Sequence, residues 1–464
     1  KLAIFQELPL DLLPLILWQL VRPSHVANAS LVNKGFYTFA IGQLYRRVFI
    51  YAWHANVKTR FVKLFRTLSN SPELARLVEE LTIRDFPRTL QVSQHAENIR
   101  LCLNGIRNCV NLRTCTWTRD GSLSNEILQS LHDLPSLTGL EINGNSEMHY
   151  HPAILPAFRY LHRLCVIMPS PSVCEVLPQW FRETGTTLKK LSLICRTSPK
   201  VNDDLLKEIA PHLFNLEELH LLGCHKITHQ GLLALVSSNS RGLVSLGAEA
   251  LSPTFDMSEF SQQCRINGSM RRLTSITLTV GPSTGLSSWG KHVLELLSES
   301  PLEMFHISTA GGDVGRALPH DFVQHLVTIH GRRLRRFSVQ RMHISVASVE
   351  DICHRCPNLS ELFVVLEMDD VDDLGPPLSM TRQLRSLHIN RPVEVSPDEV
   401  PVVKTEKILT LVRQCGSDLR QIGFSTRVWQ VQWNVFSDEG VLSTEPTLAP
   451  YENPEVPEQF LVLR

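Results

Sequence analysis

Apolar residues recur along this chain in a fixed frame that predicts a series of strands. In the clearest example, Leu216, Leu219 and Leu221 stand at positions 1, 4 and 6 of the frame. The two-residue spacing of Leu219 and Leu221 is typical of a strand with one buried face. Gly223 then allows a turn, and residues 230–236 have helical spacing of apolar side chains. We interpret this as one strand–helix unit, which buries its apolar face only when stacked on copies of itself.

Copies of the frame begin at 13 places along the chain. Their mean period of about 28 residues lies within the range of leucine-rich repeats, about 20–29 residues. The starts are Val78, Leu112, Leu137, Leu161, Leu188, Leu216, Leu243, Leu273, Leu302, Leu334, Leu359, Leu384 and Leu419. The pattern predicts an α/β fold over residues 78–442: a right-handed leucine-rich-repeat solenoid of about 13 units with a curved parallel sheet and outer helices.

The composition limits the classes of partner. The chain has 46 basic and 46 acidic residues, so its balanced charge gives no reason to expect nucleic acid or an anionic membrane. No apolar run approaches the length of a transmembrane helix. The 11 cysteines are an odd number, and most lie at core-like positions of the frame. This favours a reducing compartment, and we expect the cytoplasm or the nucleus.

None of the candidate motifs in the sequence predicts a catalytic site, a metal site or a cofactor site. Cys353 and Cys356 have C-x-x-C spacing, but no second pair follows at zinc spacing, so we interpret them as packing residues. The glycine-rich stretches 281–285 and 311–315 lack the Lys and Ser/Thr of a phosphate-binding loop. The basic cluster at residues 331–336 is interpreted as solvated arginines at a repeat edge. We expect a protein that is not an enzyme.

The first 50 residues differ from the repeats and predict three short helices. The first starts near Asp11, the second runs from Ser24 as N-cap to Leu31, and the third covers about residues 36–45.

Apolar residues run around the whole first helix. Leu13 and Leu17 lie on one side, and Leu12 and Ile16 lie on another. A module this small and apolar cannot cover its own surface. Either it is a helical cap on the first repeat, or one of its apolar faces belongs to a partner.

Three segments of this module resemble the F-box motif. Residues 7–20 contain its Leu-Pro opening, residues 29–36 its Val-x-Lys-x-Phe centre, and residues 44–48 its Leu-Trp-like close. Asn33 stands where Cys or Ser is usual, and Tyr45 stands where Trp is commonest, which keeps an aromatic ring. An F-box followed by leucine-rich repeats is a familiar architecture, and a repeat that carries Cys224 is similar to the cysteine-containing class.

The resemblance implies a substrate-recognition subunit of a Skp–cullin–F-box ubiquitin ligase. Residues 1–50 would bind a Skp-class adaptor, and through it a cullin ligase, while the repeats would bind a protein substrate. The residues expected to carry or support the adaptor contact are Leu8, Pro9, Leu12, Ile16, Leu31, Val32, Leu44 and Tyr45. The alternative is a leucine-rich-repeat interaction scaffold that is not engaged in ubiquitination.

Two further segments complete the predicted organisation. Residues 51–77 have helical spacing and are expected to form a helical linker between the F-box and the repeats. Residues 443–464 are rich in Pro, Glu, Ser and Thr at their start, which predicts a disordered C-terminal tail.

The frame also predicts a recognition surface. If positions 4 and 6 point inward, positions 3, 5 and 7 point outward along the sheet, and most of them are polar. The apolar exceptions suggest a stripe for a protein substrate, with two polar neighbours as its rim. The residues of this predicted surface are Ile167, Ile194, Leu222, Phe363 and Val365, with Glu218 and His220. Alternatively, position 7 already curls into the turn and is buried.

Overall fold

A computed structural model describes residues 10–20, 22–52, 56–86, 92–196, 198–239, 241–282, 284–310, 316–367, 369–392, 403–438 and 441–451. These residues form two compact units, and the first unit gives way to the second between Leu188 and Lys189.

The first unit begins with a module of short helices. A 3-10 turn (Leu10–Leu12) leads into α1 (Leu13–Trp18), followed by α2 (Pro23–Ser30) and α3 (Lys34–Arg46). Their common core contains Leu17, Val26, Ala29 and Ala40, with Leu20, Phe36 and Leu44 packed against it.

Two of the predicted helix starts differ from the structure. The second helix begins at Pro23 with Arg22 as N-cap, because the fixed φ of proline suits the first helical position, so the prediction of Ser24 as N-cap is wrong. The third helix starts two residues early because the Asn33 side chain caps it, accepting a 3.0 Å hydrogen bond from the Phe36 N–H.

The strands of the first unit are parallel and follow chain order. They are β1 (Arg47–Ile50), β2 (Glu80–Ile83), β3 (Thr114–Trp117), β4 (Gly139–Asn143) and β5 (Arg163–Ile167). The connections contain α4 (Val57–Asn70), α5 (Pro72–Ala75), α6 (Val92–Asn108), α7 (Asn125–His132), a 3-10 helix (Pro152–Ala157) and α8 (Pro171–Thr184).

Strand β1 was not predicted, and it joins the helical module directly to the sheet. No residue separates α3 from β1. The Glu79 N–H donates to the Arg46 carbonyl at 2.9 Å, and Arg47 Nε lies 2.8 Å from Glu80 Oε2. The run Val48-Phe49-Ile50 is β-branched and aromatic, which favours a strand over a longer helix.

The second unit repeats the strand–helix alternation. Its strands are β6 (Lys190–Ile194), β7 (Glu218–Leu222), β8 (Ser245–Glu249), β9 (Ser275–Val280), β10 (Met304–Thr309), β11 (Arg336–Gln340), β12 (Glu361–Val365), β13 (Ser386–Asn390), β14 (Gln421–Phe424), β15 (Arg427–Asp438) and β16 (Val441–Pro450). Its α-helices are α9 (Asp203–Ile209), α10 (His229–Ser238), α11 (Met257–Asn267), α12 (Leu286–Leu297), α13 (His320–His330), α14 (Val346–Arg355), α15 (Gly375–Ser379) and α16 (Thr405–Cys415). Two 3-10 helices, Ala210–His212 and Asp369–Leu374, complete the connections.

The apolar frame is the organising feature of both units. Each of the 13 predicted starts leads into one of the strands β2–β14, and all 13 starting residues are buried. Residues at position 4 are register partners from strand to strand, as Leu219 is with Leu191 and Leu246. In each unit the consecutive repeat strands are therefore parallel neighbours with helices in the connections, and the predicted α/β arrangement of stacked strand–helix units is confirmed.

The C-terminal part of the second unit contradicts the predicted disorder. β15 pairs antiparallel with β14, and β16 pairs antiparallel with β15, so the tail is a hairpin up to Pro450. Val431 is buried, and Trp433 Nε1 donates to the Leu419 carbonyl at 3.1 Å, which attaches the hairpin to the last repeat. Pro446 and Pro450 lie on the outermost strand, where a missing N–H is tolerated. Residues 452–464 lie outside the described residues.

Candidate protein-interaction surfaces

Exposed apolar side chains are concentrated in the N-terminal helical module. On α1, Leu13 and Leu17 are buried, whereas Ile16 is 38% exposed, and Leu12 at the end of the preceding 3-10 turn is 42% exposed. Leu31, in the turn between α2 and α3, is 83% exposed, and Val32 beside it is also exposed. Four of the predicted adaptor-contact residues are therefore available at the surface.

The other predicted adaptor-contact residues have different positions. Leu44 is half-buried and packs against the core of the module, so it stabilises the packing of the helices and is not part of the exposed surface. Tyr45 is also half-buried, and its burial, followed by the nearby Tyr37, raises the pKa of its hydroxyl. Leu8 and Pro9 lie outside the described residues.

Four exposed apolar residues of the module were missed by the sequence analysis. They are Leu15, Trp18, Tyr37 and Phe39. The Arg46 guanidinium lies 5.4 Å from the centre of the Trp18 ring, which links the end of α1 to the end of α3. The apolar residues around the whole of α1 were the signal that could have identified Leu15 and Trp18.

On the sheet of the second unit, Ile194 and Leu222 are register partners in β6 and β7. Both side chains are half-buried, so position 7 is neither fully outside nor fully part of the core. Ile167 is half-buried as well, but it belongs to the first unit, where its partner in β4 is Asn143.

The prediction that Phe363 and Val365 are exposed is wrong. They are only 3% and 2% exposed. The Arg336 guanidinium lies 5.2 Å from the centre of the Phe363 ring, and the His388 ring packs against it edge-on at 6.4 Å. Side chains of the neighbouring strands therefore cover Phe363, which we exclude from the interaction surface together with Val365.

The two predicted polar neighbours of Leu222 are engaged with adjacent strands. Lys190 Nζ lies 2.7 Å from Glu218 Oε2, and the two residues are register partners. His220 Nε2 lies 3.1 Å from Ser245 Oγ. The His220 ring also lies beside Gly247, where an added Cβ would be 3.1 Å from its Cγ. These contacts fix both side chains beside the half-buried Leu222.

Histidine recurs at position 5 of the frame, which the sequence analysis did not notice. His306 Nδ1 lies 2.7 Å from Ser338 Oγ in the next strand. His388 is fully buried, and its Nε2 lies 3.0 Å from both Asn390 Oδ1 and the Ser425 carbonyl. As with His220 and Gly247, each ring lies beside a small residue of the following strand.

One set of side chains has the composition of a hydrolase triad. His320 Nδ1 lies 2.9 Å from Ser348 Oγ, and its Nε2 lies 3.5 Å from Asp351 Oδ2. Ser348 is fully buried, so its hydroxyl is out of reach of a substrate. The Ser348 N–H donates to Ser345 Oγ at 3.2 Å, so Ser345 caps the start of α14. The contact between His320 and Ser348 ties this start to the start of α13.

The cysteines pack in the core. All 11 are free, and ten of them are buried. Burial raises the pKa of Cys353 and of Cys356 to about 12, which keeps both thiols protonated at neutral pH. This agrees with the packing role predicted for the C-x-x-C pair. Within the described ranges, no group of three or more His, Cys, Asp or Glu residues could hold a metal ion. No helix in this part of the chain has the length and hydropathy needed to cross a membrane.

No family model matches the chain. The comparison with curated proteins finds no match. Among solved structures, the chain is similar to the leucine-rich repeat-containing protein LegL7 from Legionella pneumophila, with 12% identity and a TM-score of 0.37. The similarity covers 66% of this chain and 90% of that one. The repeat fold of this chain follows from its own strand order and register.

Proposed function

We propose that this protein is a non-enzymatic substrate receptor of a Skp–cullin–F-box ubiquitin ligase. The N-terminal helical module binds a Skp-class adaptor, and the repeats bind a protein substrate. Neither nucleic acid nor a membrane is a partner in this proposal, and the protein acts in the cytoplasm or the nucleus.

The observation that carries the proposal is the exposed apolar surface of the module. Eight of the 19 exposed large hydrophobic side chains found in the described ranges lie between residues 12 and 39. A helical cap has no need of such exposed side chains, because its own core is already formed by Leu17, Val26, Ala29 and Ala40. A partner that covers Leu12, Ile16, Leu31 and Val32 accounts for their chemistry.

The continuous run from α3 into β1 supports the same proposal. A receptor has to hold its substrate at a fixed distance from the ligase, since productive transfer depends on orientation. The ion pair between Arg47 and Glu80 and the parallel pairing of β1 with β2 attach the module to the repeats of the first unit. This attachment leaves little room for independent motion of the adaptor-binding helices.

For the substrate we propose the sheet surface around β6 and β7. Leu222 and Ile194 provide a half-buried apolar centre, and His220 and Glu218 border it. An apolar centre with a polar rim is the usual arrangement of a protein–protein interface. A protein segment that lies across these strands would complete the burial of both aliphatic side chains.

The adaptor contact is best tested with point variants in a pull-down with a purified Skp-class adaptor. Deletion of residues 1–50 also removes β1 and exposes the edge of β2, so it would confuse loss of binding with damage to the sheet. Ile16→Asp should abolish the pull-down, because it puts a charge into the contact. Val110→Asp is the matched control, because Val110 is 39% exposed and Ile16 is 38% exposed.

A repeat scaffold outside the ubiquitin system is the second candidate. It predicts no adaptor pull-down by the wild-type protein, although the repeats remain folded by circular dichroism. Retained pull-down by Ile16→Asp would remove the proposed contact surface. Loss of both pull-down and helicity in Ile16→Asp would favour the helical-cap interpretation of the module.

A further inference from the structure

A recess of about 440 Å³ opens between the ends of α13 and α14 in the second unit. Its basic lining comes from two places: Arg332 and Arg333 in the loop after α13, and His354 and Arg355 in the last turn of α14. All four of these residues are exposed. The exposed Ile329 and the buried His330 complete the part of the lining that bears on its chemistry.

Next to the lining residues of the recess, the backbones of the two repeats approach closely at Gly331. A Cβ at this position would lie 2.6 Å from the Arg355 carbonyl oxygen, which is too close for any residue other than glycine. This approach brings the arginines of one repeat next to those of the following one. The basic cluster of the sequence therefore continues across a repeat boundary, which a linear motif cannot reveal.

The charges of the recess are only partly compensated. Arg355 Nε lies 3.3 Å from Asp351 Oδ1, whereas the recess has no acidic residue in its lining. His330 is 2% exposed, and its Nε2 has no hydrogen-bond partner among the described residues. This buried imidazole nitrogen therefore carries the cost of an unmade hydrogen bond.

Compensation of the helix dipoles explains only part of this arrangement. Basic side chains are favourable near helix C-termini, and His354 and Arg355 lie in the last turn of α14. Arg332 and Arg333, however, lie beyond the end of α13, in the loop after Gly331. The dipole also gives no reason for a recess or for the unpartnered His330 nitrogen.

We propose that this recess binds an acidic peptide segment of a partner protein, with Arg332 and Arg333 contacting its anionic groups and Ile329 an adjacent apolar side chain. Arginine guanidinium groups bind carboxylates and phosphate monoesters with the same paired hydrogen bonds, so either group would suit the recess. The proposal does not depend on adaptor binding, because the recess lies in the repeats alone.

The test is fluorescence anisotropy of the full chain with two labelled probes. One is a hexaglutamate peptide, and the other is a peptide of the same length in which phosphoserine replaces two of the glutamates. The test variant is Arg332→Gln/Arg333→Gln. The control is Arg271→Gln/Arg272→Gln, which also removes two positive charges. These arginines directly precede the frame start Leu273, as Arg332 and Arg333 directly precede the frame start Leu334. We expect the test variant to bind at least tenfold more weakly than the wild type, and the control to change binding less than twofold. A tenfold preference for the phosphorylated probe would identify phosphate as the anion, and equal binding would identify carboxylates.

Three results would overturn the proposal. They are failure of both probes to bind the wild-type chain, equal weakening in the two double variants, and tighter binding of a single-stranded oligonucleotide than of either peptide. Thermal unfolding followed by circular dichroism checks whether the test variant is folded at the assay temperature. If Arg332→Gln/Arg333→Gln is unfolded at the assay temperature, Arg333→Lys replaces it, and undiminished binding by that variant would also overturn the proposed guanidinium contacts.

Discussion

Asp203 and Thr228 stand at the starts of successive repeat helices and are joined by two hydrogen bonds. The Thr228 N–H donates to Asp203 Oδ1 at 2.8 Å, and its hydroxyl donates to Oδ2 at 2.6 Å. The Gly231 N–H also donates to Oδ1, at 3.2 Å. One repeat therefore caps the helix of the next, and such nearest-neighbour contacts are what stabilise a repeat protein.

Replacement of Asp203 by Ala should destabilise the second unit by about 2 kcal/mol, because three donors lose a charged acceptor. Urea unfolding followed by circular dichroism measures this change. The matched control is Asp204→Ala, which removes the same charge from an exposed position in the same turn of α9. The control should cost less than about 1 kcal/mol, the value of a helix-dipole contact. Equal losses in the two variants would mean that the cap adds nothing beyond charge.

Two glycines should respond in opposite ways to a methyl group. A Cβ at Gly423 would lie 2.8 Å from Cγ of the fully buried His388 ring, so Gly423→Ala should destabilise by about 1–3 kcal/mol. A Cβ at Gly42, inside α3, would have no atom within 4 Å, so Gly42→Ala should stabilise by about 0.5–1 kcal/mol. Thermal melts of both variants provide the comparison. A neutral Gly423→Ala would show that the His388 ring moves easily.

Adjacent leucines of β7 should separate surface from core. Leu221 is fully buried, and Leu221→Glu should cost more than about 4 kcal/mol, because the buried carboxylate has no partner. Leu222 is half-buried, and Leu222→Glu should cost about 1 kcal/mol or less. Ile194→Glu should behave like Leu222→Glu. Similar melting temperatures for Leu221→Glu and Leu222→Glu would mean that position 7 is core and that the substrate surface lies elsewhere.

Stability should depend on pH through His330. Burial, followed by the charge of Arg333, lowers the pKa of this imidazole from 6.5 to about 4. Between these pH values the unfolded chain binds a proton that the folded chain does not, so stability falls as the pH falls through this window. Urea unfolding of the wild type at pH 7.5 and 5.0 should show a loss larger by about 2 kcal/mol than in His330→Gln. Parallel losses in the two proteins would exclude His330 as the source.

The core positions of the repeats could be predicted because the buried apolar residues recur at fixed positions of the sequence frame. Residues such as Leu219 and Leu221 specify a strand locally, and stacking aligns them without further information. The hairpin was missed because the tail was predicted from its content of Pro, Glu, Ser and Thr and not from the alternation of apolar and polar residues. Trp429, Val431, Trp433 and Val435 alternate with polar residues, which is the signal of a strand, and this alternation precedes the segment that was assigned as a tail.

The interaction surfaces were less predictable, because exposure depends on neighbours that are distant in sequence. Phe363 occupies an outward position, but Arg336 and His388 cover it from the adjacent strands. The basic recess combines residues of two repeats, Arg332 and Arg333 with Arg355, which no local pattern encodes. The helical period separated Leu12 and Ile16 from Leu13 and Leu17, but which of the two sides is exposed became clear only from the packing of α1 against the other helices.

Docking of a Skp-class adaptor on the N-terminal module is tested most directly by isothermal titration calorimetry of the full chain with the purified adaptor. We expect a one-to-one complex with a Kd below about 1 μM. Leu31→Asp should abolish the heat of binding, because Leu31 is 83% exposed and has little part in the fold, while Val110→Asp should leave the Kd unchanged. A folded wild-type chain that gives no heat, or a Leu31→Asp variant that binds as tightly as the wild type, would contradict the proposed role of the module.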